Sequence, residues 1–432
     1  MNRRIYAFGG LGGLICGVDF GIIAVAVPYI RALGLYSDAR IGWIVGGVML
    51  GGILASVCGG WLCDRIGRRG VARLATACFV VSIPTICLSG ALFPVMMLGR
   101  TLQGLSCGFL SVAIPMYLAE TLPPDRRGRG PAVFQLFLGI GLVLAAVAGV
   151  VIAQTLGAAD AEAVPAAAKS LAWRVNFWWT LLPAALLAAS GLLVPESPVR
   201  ATRCDKVTDA RDSLLSRRYV MPFLLALAVL TLNKLIGFGC VVPYAVVLFQ
   251  KAGLVGALGN CGDVAIKVVN LAVTLLIVSL VDKKGRTFLL RAGTAGLAVS
   301  LVAIGLLFLG LECGWIAPSL GAGCLMLAAF LSLVFFYSFG PGVCVWLVLS
   351  ELMPRRIRAN GMSLALLSNQ FVAWGLAAAF LPAANAVGFG PVFLVFAVFG
   401  VVYFATACRI PETRGKSLEE IEMLFDRRKK DA

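Results

Sequence analysis

Histidine is missing altogether from the 432 residues, and acidic residues are scarce, 21 Asp and Glu against 37 Lys and Arg. Without histidine there is no Ser/His/Asp arrangement, and the commonest general base and neutral-pH proton shuttle is gone. No Gly-x-x-x-x-Gly-Lys-Ser phosphate loop is present either, so an enzyme is not expected. Charged residues make up 13% of the chain and hydrophobic ones 60%, whereas soluble domains carry about 25% charged residues. A soluble protein is thereby excluded. The thirteen cysteines mostly stand singly within apolar runs and show no paired spacing, so no disulfide framework is read from them. Cys58 with Cys63 and Cys313 with Cys324 are poor metal pairs in a chain without histidine. No cofactor or metal is expected.

What the chain has in quantity is apolar runs of about 20 residues, each enough to cross a ~30 Å hydrocarbon core. Twelve are read from the sequence, the sixth over 175–194 after an external loop at 160–170. The net charge of +16 could suggest nucleic acid, but its distribution argues otherwise. The basic clusters lie at Arg3-Arg4, 65–73, 126–129, 200–218, 283–291, 355–358 and 409–430, in every second loop and at both termini. That alternation is the positive-inside pattern of cytoplasmic segments. It places a multi-pass protein in the cell (plasma or bacterial inner) membrane with both termini cytoplasmic, surrounded by lipid and without a nucleic-acid partner.

The loops also repeat. Asp64-Arg65-Ile-Gly67-Arg68 returns as Asp282-Lys-Lys-Gly285-Arg286, 218 residues on. Glu120, Pro123 and Arg127 return as Glu351, Pro354 and Arg358 at an offset of 231, and Pro195-Glu196 as Pro411-Glu412 at 216. Three echoes at nearly one spacing imply a duplicated six-helix unit. The expected architecture is an all-α membrane protein of twelve transmembrane helices in two pseudo-symmetric halves. These are 1–195 and 219–410, joined by a cytoplasmic linker at 196–218 and followed by a tail at 411–432. Duplicated transporters place their site between such halves.

Two ionisable residues lie deep in the first half. Asp19 is about eleven residues into the first span, roughly 16 Å along a helix, and Arg100 in span four counts to a similar depth. Charges inside a membrane are costly and usually functional, so the pair is either a static tie or a site of proton or substrate coupling. Gly104 and Gly108, four apart after Arg100, allow a neighbouring helix to come close.

The motifs Asp64-Arg65-x-Gly67-Arg68-Arg69, Pro115-x-Tyr117-x-x-Glu120, Pro195-Glu-Ser-Pro198, Gly340-Pro341, Trp346, Ser350-Glu351 and Pro411-Glu-Thr-Arg-Gly-Lys-Ser-Leu-Glu-Glu420 run over nearly the whole length. Through them the chain resembles the sugar porter family of the major facilitator superfamily, which includes proton–sugar symporters and facilitative glucose transporters. The resemblance implies alternating-access transport of a sugar or related polar solute by a protein that works as a monomer. It also implies a cytoplasmic latch of Asp64, Arg65, Arg68, Glu120, Arg127, Glu196, Arg286, Glu351, Arg358 and Glu412. Substrate contacts would fall on Gln135, Asn233, Lys234, Tyr244, Asn270, Trp346, Asn369 and Gln370.

In span seven the family pattern breaks. Asn233-Lys234 stands where the family has a Gln pair, Gly239 where it has Asn, and Pro243 where it has the first of two Tyr. Lys234 is either a cavity-lining cation or a structural lysine paired with an acid elsewhere. A sugar-acid or other organic-anion symporter is therefore an alternative, as is a facilitative uniporter. A solute receptor without net flux is a more distant one. Lys267, with Asp263 four residues before it, is accounted for by snorkelling or by that local pair.

Overall fold

The computed structural model describes residues 2–122, 129–157, 164–196, 220–345 and 358–410. Every regular element among them is helical. The helices are α1 (Asn2–Ala32), α2 (Asp38–Ile66), α3 (Arg68–Cys87), α4 (Phe93–Thr121), α5 (Arg129–Thr155), α6 (Ala166–Trp178), α7 (Leu181–Leu193) and α8 (Val220–Leu235). There follow α9 (Phe238–Val241), a 3-10 turn (Val242–Tyr244), α10 (Ala245–Ala252), α11 (Ala257–Lys284), α12 (Arg286–Glu312), α13 (Leu320–Phe339), α14 (Arg358–Val387) and α15 (Phe389–Arg409). They supply twelve segments long and apolar enough to cross a membrane. Helix is the answer the bilayer forces, because it satisfies every backbone donor and acceptor within one segment.

Local chemistry sets the ends. Ser37 caps α2 by accepting from Arg40 N–H, and Ser319 caps α13 by accepting from Ala322 N–H at 3.2 Å. Arg31 at the end of α1 grips Asp38 at the start of α2 through Nε at 3.1 Å and Nη2 at 3.3 Å. In the same connection Tyr36 donates its hydroxyl to Gly90 O at 2.8 Å, and burial pushes that phenol above its ordinary value. It stays a neutral donor.

The sixth span begins earlier than expected. Residues 166–170, read from sequence as external loop, form the first turn of α6, so this span is Ala166–Leu193. An Ala-rich stretch with a lysine resembles a loop in hydropathy yet has high intrinsic helix propensity, and propensity prevails. The seventh span is broken. After α8, Gly237 at φ 76 donates its N–H to Lys234 O at 2.9 Å, and Pro243 lies in the 3-10 turn before α10 resumes the helix. Proline has no N–H to continue an α-helical ladder.

The chain forms two compact units, one of 1–206, 240–271 and 374–382, the other of 207–239, 272–373 and 383–432. In the first, α1 packs on α5 and α2 on α4; in the second, α12 packs on α13 and α15. Gly104 shows why α2 and α4 approach so closely: a Cβ there would collide with the main-chain carbonyl of Val48. The opposite face of α2 exposes Leu54, Val57 and Trp61, each more than half accessible. An apolar stripe at helical spacing on the outside is what a lipid-facing surface requires.

Both units repeat one turn. Gly67, between α2 and α3, has φ 84 and ψ 161, and Gly285, before α12, has φ 90 and ψ 151. Only glycine takes that conformation readily. Six residues on from each glycine, Arg73 Nη2 donates to Gly191 O at 3.5 Å, and Arg291 Nε donates to Ala407 O at 3.3 Å. These arginines are 218 residues apart and their acceptors 216, so the repeat extends to specific contacts that the motif comparison missed.

Candidate functional site: a buried ion pair and its surroundings

Asp19 and Arg100 come together as their depths suggest, and both are essentially inaccessible. Arg100 Nη1 lies 3.5 Å from Asp19 Oδ1. The arginine has nearer partners. The same Nη1 donates to Gln103 Oε1 at 2.6 Å, and Nε donates to Ile44 O of α2 at 3.2 Å. Cys107 Sγ donates to the other Asp19 oxygen, Oδ2, at 3.4 Å, and Cys16 Sγ to Cys107 O at 3.8 Å. Sequence reading singled out neither Gln103 nor Cys107. Their spacing from Arg100, three and seven residues along one helix, puts all three on one face and was the available signal.

Arg68 is a second buried arginine, at the α2–α3 turn. Its Nη2 is 3.0 Å from Glu120 Oε1 on α4, and its Nη1 reaches Asp64 Oδ1 at 3.2 Å and Cys63 O at 3.0 Å. Beside it, Glu196 Oε1 accepts the backbone N–H of Arg69 at 3.2 Å, while Tyr117 donates its hydroxyl to Pro195 O at 2.9 Å. Asp64, Arg68, Glu120 and Glu196 are thus drawn together at adjoining helix ends. Arg65 is not among them: it is exposed, with its guanidinium 5.2 Å from the Trp61 ring centroid. In the second unit Arg286 and Arg358 open α12 and α14. Arg127, Trp346, Glu351 and Glu412 lie outside the described residues.

The expected substrate residues divide between the units. In the first, Gln135 is exposed, Asn270 half-buried, and Tyr244 buried with its ring 5.3 Å from Phe380. One turn beyond Gln135, Gly139 lies against Leu271, the residue after Asn270. In the second, Asn233 and Asn369 are buried and their amides donate to main-chain carbonyls, Pro341 O at 3.2 Å and Leu230 O at 2.9 Å. Lys234 and Gln370 are half-buried.

Lys267 and Asp263 do not snorkel. Both are buried, with Lys267 Nζ 2.5 Å from Asp263 Oδ2 and 3.4 Å from Gly21 O of α1. The local pair read from sequence exists, and it also ties α11 to α1.

A family model described as "Sugar (and other) transporter" matches residues 5–218 and 201–425. The chain belongs to that family. It is 29% identical to the putative metabolite transport protein YwtG of Bacillus subtilis (strain 168), covering 98% of this chain and 94% of the relative. It is 26% identical to the arabinose-proton symporter of the same bacterium, over 96% of this chain and 93% of that one. Among solved structures it is similar to a crystal structure of a D-xylose-proton symporter, at TM-score 0.82 and 23% identity over 96% of this chain and 99% of the other. The fold is that of the major facilitator superfamily, twelve membrane-crossing helices in two six-helix halves. The family is one of transporters, and the protein is a multi-pass membrane protein.

Proposed function

We propose that this transporter moves a sugar or sugar-like solute by alternating access, driven by protons that Asp19 carries in partnership with Arg100. The observation that carries the coupling is the burial of this ion pair in a chain without histidine. An acid and a base removed from water, hydrogen-bonded to one another across α1 and α4, change the charge of the helix interface when the acid is protonated. Such a change biases a two-state equilibrium by its differential energy in the two states. The sugar reading draws on the family and on the named substrates of its relatives. Gln135, Asn233, Lys234, Tyr244, Asn270, Trp346, Asn369 and Gln370 are the proposed contacts. The cluster around Arg68 is proposed as part of the cytoplasmic latch, and both termini as cytoplasmic.

The test is transport by protein reconstituted in liposomes, using labelled arabinose and xylose under an imposed pH gradient. Asp19→Asn is expected to abolish accumulation while leaving exchange between equal pools largely intact, since exchange needs the site and the motion but no net proton transfer. Full accumulation by this variant would show that the pair is a static tie or that another group carries the proton.

A second reading, transport of a sugar acid, draws on Lys234. The lysine is half-buried in the last turn of α8, where the span breaks. Broken membrane helices are where transporters of this kind seat their cargo. An ammonium there supplies donors and a full charge, which suits a carboxylate better than a neutral hydroxyl.

A further inference from the structure

Arg100 is closer to a neutral acceptor than to its charged partner. Its Nη1 is 2.6 Å from Gln103 Oε1 but 3.5 Å from Asp19 Oδ1, whereas an arginine–carboxylate hydrogen bond ordinarily closes to about 2.7–2.9 Å. Gln103 is fully buried, and its Nε2 has no hydrogen-bond partner among the described residues. Holding Arg100 is therefore the one interaction that accounts for an amide at this position. From the other side, Cys107 donates to Asp19 Oδ2 at 3.4 Å.

We propose that Gln103 is a positioning residue: it holds the Arg100 guanidinium away from Asp19 and so sets how readily Asp19 takes up a proton. The proposal rests on the reading of Asp19 as the proton carrier. With Gln103 and Ile44 O as acceptors, the guanidinium keeps two hydrogen bonds whatever the state of Asp19. Protonating the acid then does not strand a buried cation without acceptors, the arrangement that makes breaking a buried ion pair so costly.

The titratable groups at Asp19 are Arg100 and Cys107 from α4 and Cys16 one turn back on α1. From α5, Leu138, Gly141, Leu142 and Ala145 meet this stretch of α1, and none titrates. Lys267 of α11 meets α1 at Gly21 with its charge already paired to Asp263. The other elements packed on α1 contribute Tyr244 on the 3-10 turn, Lys251 on α10, and Lys169 and Arg174 on α6. On α2 the charged residues lie at the ends, Asp38 and Arg40 at one and Asp64 and Arg65 at the other. Among the described residues, the α4 groups and Cys16 are those that lie in the immediate shell.

The signs follow from the geometry. Gln103→Met keeps the length of the side chain but removes Oε1, so one Nη1 hydrogen is left to Asp19 and the ion pair tightens. A closer opposite charge favours the ionised acid, and protonation then requires lower pH. Gln103→Asn, whose amide is one methylene too short to hold its place, shifts the same way. Cys107→Ala removes a donor to the ionised acid and shifts protonation to higher pH. Cys107→Ser keeps a donor and stays near the wild type.

Infrared titration of the lipid-reconstituted protein tests this without any substrate, by following the carbonyl stretch of a protonated carboxylic acid and assigning it by its loss in Asp19→Asn. Gln103→Met is expected to lower the midpoint by about one pH unit, a tenfold change in proton affinity, and Cys107→Ala to raise it by less. General loosening of the interface would move both variants in one direction. Shifts of the same sign, or a midpoint that neither Gln103 variant moves, overturn the role of Gln103 while leaving Asp19 as the carrier. If Asp19→Asn removes no part of the titrating band, Asp19 is not the carrier, and Gln103's role falls with it.

Discussion

Lys234 and Lys267 both lie within segments long and apolar enough to cross a membrane, and the roles proposed for them differ. Lys267 is buried against Asp263 and Gly21 O, so its charge is compensated within the protein. Lys267→Met should lower thermal stability by about 3–5 kcal/mol by leaving Asp263 a buried, uncompensated charge. The double variant Asp263→Asn/Lys267→Met should recover much of that loss, and thermal denaturation in detergent measures both; equal losses in the two would mean the pair carries no mutual energy. Lys234 instead is half-buried beside a helix break. If it reads an anionic solute, glucuronate should outcompete glucose in wild-type transport assays and lose most of that advantage in Lys234→Gln. Neutral sugars winning in both proteins would remove the sugar-acid reading. Asn233 and Asn369 show what sequence position leaves out. Their amide type suits a hydroxylated solute, yet each N–H is given to a carbonyl of a neighbouring segment, a choice of rotamer and partner that only packing makes.

Between elements, the α2–α4 contact controls the site, because it brings Ile44 O to the Arg100 guanidinium. The spacing of Gly104 and Gly108 announced a close approach but not its partner, and α2 is that partner. With Val48 O directly over Gly104, Gly104→Leu would force the helices apart. Overpacking of this kind costs typically 1–3 kcal/mol. The variant should denature at lower temperature and lose gradient-driven uptake, since the Ile44 O acceptor moves away from Arg100. Wild-type stability and uptake would show that α4 can shift without disturbing the pair. The α6 boundary teaches the complementary lesson: hydropathy ended the loop at 170, but alanine's backbone preference starts the helix at Ala166.

For the molecule as a whole, the proposed orientation in the membrane rests on the alternation of basic loops. In a background lacking the other twelve cysteines, Cys204 in the linker should react with an impermeant maleimide only after the cells are permeabilised. A cysteine introduced in place of Ala161 should react in intact cells. Labelling of Cys204 from outside would overturn the proposed topology.

Sequence alone determined the twelve spans and the duplication, because lipid leaves the backbone no alternative to helix and because the Asp-x-x-Gly-Arg turn needs glycine at Gly67 and Gly285. It also brought Asp19 and Arg100 to one depth, since rise per residue is a property of the helix rather than of its neighbours. The tertiary structure decided which way each helix faces about its own axis, and hence who touches whom. Gln103 rather than Asp19 is the nearest acceptor for Arg100, Lys267 reaches Gly21 O, and Arg73 and Arg291 brace their partners alike. Depth is counted along one chain, but a contact depends on the rotation and separation of two helices, which the packing of both their surfaces sets together.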